Sequence, residues 1–126
     1  RREGSMSQPS DPRGSIFTSQ RPWGGFEQFT LNEPTTVKII TVQPGQRLSL
    51  QTHEQRGELW QVLDGTFEIT LDDEVFPAAK DDRIWVARGA RHRMHNTGET
   101  PARILEIAYG TFDEDDIVRI EDDYQR

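Results

Sequence analysis

Pro44-Gly45-Gln46-Arg47-Leu48-Ser49-Leu50-Gln51-Thr52-His53-Glu54-Gln55-Arg56-Gly57-Glu58-Leu59-Trp60-Gln61-Val62-Leu63-Asp64-Gly65 reads as two strands joined by a short polar connection. Successive side chains of a strand point to opposite faces, so Leu48, Leu50 and Thr52 lie on one side while Ser49, Gln51 and His53 lie on the other. Gln51 and His53 therefore project together. Glu58 opens a second run in which Glu58, Trp60 and Val62 share a face, and a return strand would set its carboxylate beside His53. A buried carboxylate there needs a cation, and a metal ion would provide one.

A later stretch, Arg88-Gly89-Ala90-Arg91-His92-Arg93-Met94-His95-Asn96, reads as a turn and a strand, with His92, Met94 and Asn96 on one face and Arg93 and His95 on the other. Gln51, His53, Glu58 and His92 then offer an amide oxygen, two imidazoles and a carboxylate. That is an N/O shell for a borderline divalent ion such as Zn²⁺. The spacing of Gly45, Gln51, His53, Glu58 and Gly65 matches the first cupin motif, with Gln51 in place of its first His, and Gly89, His92 and Asn96 match the second.

At these residues the sequence resembles the cupin domain of type II mannose-6-phosphate isomerases, including the C-terminal part of bifunctional isomerase/guanylyltransferase enzymes. Further signatures are Arg21-Pro22-Trp23-Gly24, Arg56-x-Glu58-x-Trp60, Gly89-Ala90-Arg91-His92-Arg93 and Asp115 to Tyr124. The resemblance implies an all-β cupin fold, a double-stranded β-helix or jelly-roll barrel. It also implies an isomerase that interconverts mannose 6-phosphate and fructose 6-phosphate through an enediolate with one divalent metal ion, expected to be zinc. Arg56 is then the catalytic cation that stabilises the enediolate, Arg21 contacts the substrate phosphate, and the general base is left open between Glu54, a metal-bound water and another residue. Several positions depart from the family pattern: Glu54 and Gln55 replace a His run, Leu59 replaces the His of Glu-His-Trp, and Asp81 and Ala87 stand where the second motif has Gly and Pro. Two other readings fit the same residues, a metal-dependent cupin dioxygenase and a non-catalytic sugar-phosphate-binding module.

The chain has 126 residues, enough for one small domain with a single core. Residues 1–19, rich in Ser, Pro, Gly and Arg, are expected to form a flexible arm, with a cloning scar before Met6 and with Ile16 and Phe17 as anchors should it wrap a partner. Residues 20–126 are expected to form one cupin domain, without the nucleotidyltransferase half of the bifunctional enzymes. A net charge of −7 argues against nucleic acid as a partner. A small phosphorylated sugar needs only a few local cations. No run approaches the roughly 20 apolar residues of a membrane span. Cysteine is absent, which excludes disulfide and thiolate chemistry. A cytoplasmic homodimer is the expected form.

Other segments read as short strands: Phe26–Phe29, Val37–Val42, Thr66–Leu71, Val75–Phe76 ended by Pro77, Arg83–Val86 and Ile104–Ala108. Phe26 is expected to plug the barrel. Lys38, between Val37 and Ile39, is either a solvated edge residue or an inward cation. His95 is expected to face away from His92. The acidic tail from Asp113 to Asp123 is expected to be solvated and to form a turn or short helix, with Tyr124 as its anchor.

Overall fold

The structure, a computed structural model, describes residues 10–124. Among these residues the regular elements are one 3₁₀ turn, Pro12–Ser15, and eleven strands. The strands are β1 (Phe17–Arg21), β2 (Gly24–Gln28), β3 (Thr35–Val42), β4 (Leu50–Thr52), β5 (Arg56–Asp64), β6 (Phe67–Leu71), β7 (Glu74–Ala78), β8 (Arg83–Val86), β9 (His92–Asn96), β10 (Ala102–Gly110) and β11 (Val118–Glu121). Among the described residues no helix is long and apolar enough to cross a membrane.

A four-stranded sheet in the order β3-β10-β5-β8 packs against a five-stranded sheet in the order β11-β4-β9-β6-β7, giving the double-stranded β-helix of a cupin. Inward residues of both sheets, among them Val42, Trp60, Val62, Phe67, Ile69 and Met94, form the main core. The turns between strands impose their own backbone. Gly65 sits at φ 82°, and a Cβ there would lie 2.3 Å from that of Ala102, so this motif position excludes other residues.

Two features differ from the sequence reading at the ends of the chain. Residues 1–9, including the expected cloning scar, lie outside the described residues. From Pro12 onward the expected arm is ordered: Asp11 accepts from Arg13 N at 3.0 Å to cap the 3₁₀ turn, and β1 pairs with β2. Ile16 packs with Phe29 and Trp85 against Leu59, Ile107 and Tyr109 on the outer face of the four-stranded sheet. Burying a side chain the size of Leu59 is worth roughly 1.5–3 kcal/mol, which explains why a segment without apolar periodicity is held. Phe17, the other suggested anchor, is 47 % exposed.

The tail is also a strand rather than a turn or helix, because β11 pairs with β4 and extends the five-stranded sheet. Tyr124 does anchor it, donating from its hydroxyl to Gln46 Oε1 at 2.7 Å. Pro77 lies within β7 instead of ending it. That strand is the sheet's outer edge, where a missing N–H costs no ladder bond.

Candidate metal centre

The four expected ligands come from both sheets. Gln51 on β4 and His92 on β9 are directly opposed in register, and His53 follows the last residue of β4. Glu58 lies on β5, in the other sheet. The expectation of a return strand beside β4 is thus replaced by a crossing: residues 53–55 carry the chain from one sheet to the other, and Glu58 meets the histidines across the barrel. His53 Nδ1 lies 3.4 Å from Glu58 Oε2, His92 Nε2 lies 3.9 Å from Glu58 Oε1, and the two imidazole centroids are 4.5 Å apart. Ligand atoms of His53, Glu58 and His92 all fall within 4.8 Å of one another, and all three residues are buried.

Glu58 is held by neighbours on its own strand. Arg56 Nε donates to Oε2 at 3.0 Å and Trp60 Nε1 donates to Oε1 at 3.0 Å. Burial alone would raise its pKa, but His92, His53 and Arg56 together hold it below the usual carboxylate range. Burial pushes His53 down to about 4 against the attraction of Glu58, and lowers His92 in the same way. Both imidazoles are therefore neutral near pH 7, the form that ligates. His92 Nδ1 lies 3.0 Å from Ala90 O, a contact that assigns the proton to Nδ1 and leaves the lone pair on Nε2.

His92 Nε2 and Gln51 Oε1 are both buried without a hydrogen-bond partner. A buried acceptor left unpaired costs about 1–3 kcal/mol, and a cation between these atoms and Glu58 would satisfy both. The residues present therefore fit a divalent ion held by nitrogen and oxygen donors.

The donors open into a cavity of about 290 Å³ whose walls include Lys38, Arg56, Glu106 and Phe112. Arg56 lies on the same cavity wall as the four expected ligands. Its guanidinium is 5 % exposed, bonds to Glu58 and to Asp113 O, and stacks 4.0 Å from the Phe112 centroid. Of the two alternatives for Lys38 the inward one holds, and Glu106 is a cavity residue with no counterpart among the sequence expectations. Both stand in register with inward apolar residues, Lys38 with Ile40 and Val42, and Glu106 with Ile104 and Ala108. A charge at an inward strand position was the available signal. Glu106 is pushed up to about 8 by burial and by the charge and hydrogen bond of Glu58, with Lys38 and Arg56 opposing, so it holds its proton at neutral pH.

Arg21 is not brought to this cavity. It ends β1 in a hairpin that pairs with neither large sheet, it is exposed, and its guanidinium lies 5.3 Å over the Phe26 ring. Phe26 itself is 39 % exposed against Phe17 and does not plug the barrel. Glu54, one of the bases left open, is exposed and outside the cavity wall. His95 turns away as alternation requires, with Nδ1 3.8 Å from Glu68. The tail carboxylates are not all merely solvated: Asp116 accepts from Glu54 N at 3.1 Å and Gln55 N at 2.8 Å, fastening the tail to the segment that carries His53.

Comparison with known proteins agrees with this architecture. Xanthan biosynthesis protein XanB of Xanthomonas campestris is 42 % identical over 107 residues, covering 84 % of this chain and 23 % of that protein. Mannose-1-phosphate guanylyltransferase ManC of Salmonella typhimurium is 40 % identical over 107 residues, covering 84 % of the chain and 22 % of the relative. The chain thus spans less than a quarter of the length of these relatives. In structure, a double-stranded β-helix domain protein from Klebsiella pneumoniae superposes with a TM-score of 0.62 at 19 % identity, over 69 % of this chain and 75 % of that one. The family described as mannose-6-phosphate isomerase C-terminal matches residues 13–122, and the chain belongs to that family.

Proposed function

We propose that the chain is a metal-dependent aldose–ketose isomerase that interconverts mannose 6-phosphate and fructose 6-phosphate. The observation that carries this reading is the convergence of Gln51, His53, Glu58 and His92, with two orphaned donor atoms, at the wall of a cavity lined with cations. Family membership and relatives named for mannose phosphate chemistry support the substrate class.

Isomerisation moves a proton between two adjacent carbons through an enediolate, so the site must hold the sugar oxygens and bear negative charge. A divalent ion, proposed to be Zn²⁺, supplies Lewis acidity to those oxygens when bound. Arg56 keeps the Glu58 carboxylate aimed at the histidines and lends positive charge where the enediolate forms. Trp60 fixes the other carboxylate oxygen, and the Ala90 carbonyl fixes the His92 ring.

A coupled assay for fructose 6-phosphate tests the activity. Metal-loaded protein should turn over mannose 6-phosphate and lose activity with a chelator. Oxygen consumption with Fe²⁺ in place of isomerisation would contradict the reading in favour of a dioxygenase, and ligand binding without turnover would leave a binding module. The proposal includes a cytoplasmic homodimer. The dimer is supported by β3, an edge strand with Val37 and Ile39 each 56 % exposed, and sedimentation at the weight of one chain would refute the dimer.

A further inference from the structure

Lys38, Glu106 and Trp60 form one rung across β3, β10 and β5. Their side chains face the same cavity as the four candidate ligands. Two strand spacings place the Lys38 backbone about 10 Å from that of Trp60, on the far side of Glu106 from Glu58's strand.

The cations on this wall are not equivalent. Arg56 is bonded to Glu58. Arg93 is bonded to Leu48 O and Glu121, and Arg119 faces Asp122. Among the described residues Lys38 has no carboxylate within ion-pair distance, and its ammonium rests 4.0 Å from the centroid of Phe112. Arg56 contacts the same ring at 4.0 Å, so two cations rest against one aromatic side chain. An ammonium offers three movable donors and suits a phosphate as a point charge.

We infer that Lys38 is the anchor for the phosphate of a phosphorylated sugar, with the sugar reaching from it past Glu106 to the ligand cluster. This rests on the isomerase reading for the identity of the sugar. It assigns to Lys38 the contact that the family resemblance suggested for Arg21, which lies outside the cavity.

The test is calorimetric titration of metal-loaded protein with mannose 6-phosphate, mannose and inorganic phosphate, for the wild type, Lys38→Met and Lys38→Arg, with metal content measured for each. Wild type should prefer mannose 6-phosphate to mannose. Lys38→Met should lose about tenfold or more of that affinity and its phosphate binding, with metal content unchanged, whereas Lys38→Arg should keep most of both. Wild-type affinity in Lys38→Met, or no preference for the phosphorylated sugar in the wild type, overturns the inference. As a measurement independent of variant folding, mannose 6-phosphate but not mannose should protect Lys38 from acetylation in the wild type; equal labelling overturns it. Phosphate-dependent binding without turnover would sink the isomerase reading and leave the anchor. Turnover and affinity unchanged in Lys38→Met would do the reverse.

Discussion

Gln51 and His92 face each other in the register between β4 and β9, and each presents a buried polar atom with no hydrogen-bond partner. Unpaired buried acceptors on two paired residues are destabilising unless something positive binds them. Gln51→Leu should therefore leave the metal-free fold at least as stable as the wild type. The same change should weaken metal retention by at least the roughly 10–100-fold that loss of a supporting partner costs. Thermal melts with and without metal, together with a competitive chelator titration, check both halves.

Arg56 and Glu58 form a buried pair, at 5 % and 2 % exposure. Removing one partner of such a pair strands the other charge, so Arg56→Ala should cost the metal-free protein about 3–5 kcal/mol. Bound metal compensates the Glu58 carboxylate directly, and the loss should shrink when metal is present. Denaturant unfolding of both forms measures the difference. An equal loss in each would mean that the ion does not reach Glu58.

Asp81 adopts φ 75° at the position where the family pattern has glycine. Asp tolerates the left-handed region better than most residues, which accounts for its presence there. Asp81→Gly should raise the melting temperature. Asp81→Val should cost about 1–3 kcal/mol, since β-branching makes that backbone harder to hold.

Asp116 ties the tail to the His53 segment. Burial opposes its charge, but the Glu54 and Gln55 amides, with Arg56 and His53 nearby, hold its pKa below the ordinary value. A carboxylate with a depressed folded pKa adds stability that is present above its unfolded value, about 3.9, and is lost as pH falls through the folded value. Asp116→Asn should remove that part of the acid-side loss, which stability curves below pH 5 would show. An unchanged curve would mean that the tail is not fastened there.

Alternation and spacing are local properties, and they anticipated that Gln51, His53 and His92 share one cavity wall, although Leu48 and Arg93, which strict alternation sets on the opposite faces, line that cavity too. Gln51 and His53 could be placed on one face and His92 set apart from His95 without knowing how the strands pair. Pairing itself was not legible. The chain between His53 and Glu58 is short enough for a hairpin, yet it crosses between sheets, a choice settled by non-local contacts such as Glu58 opposite Ala108. Glu106 escaped, and Lys38 stayed undecided between edge and interior, because a charged residue among inward apolar positions becomes informative only once the inward face is known. The ordered segment from Pro12 was hidden for a similar reason: its apolar contacts are supplied by Leu59, Ile107 and Tyr109, far along the chain.

The most direct measurement is anomalous scattering at the zinc edge from crystals of the zinc-loaded chain. One peak per chain should lie among Gln51 Oε1, the His53 imidazole, the Glu58 carboxylate and His92 Nε2, and should vanish in His53→Ala. A peak elsewhere, no peak at full loading, or a peak undiminished in His53→Ala would contradict a metal centre built from these four side chains.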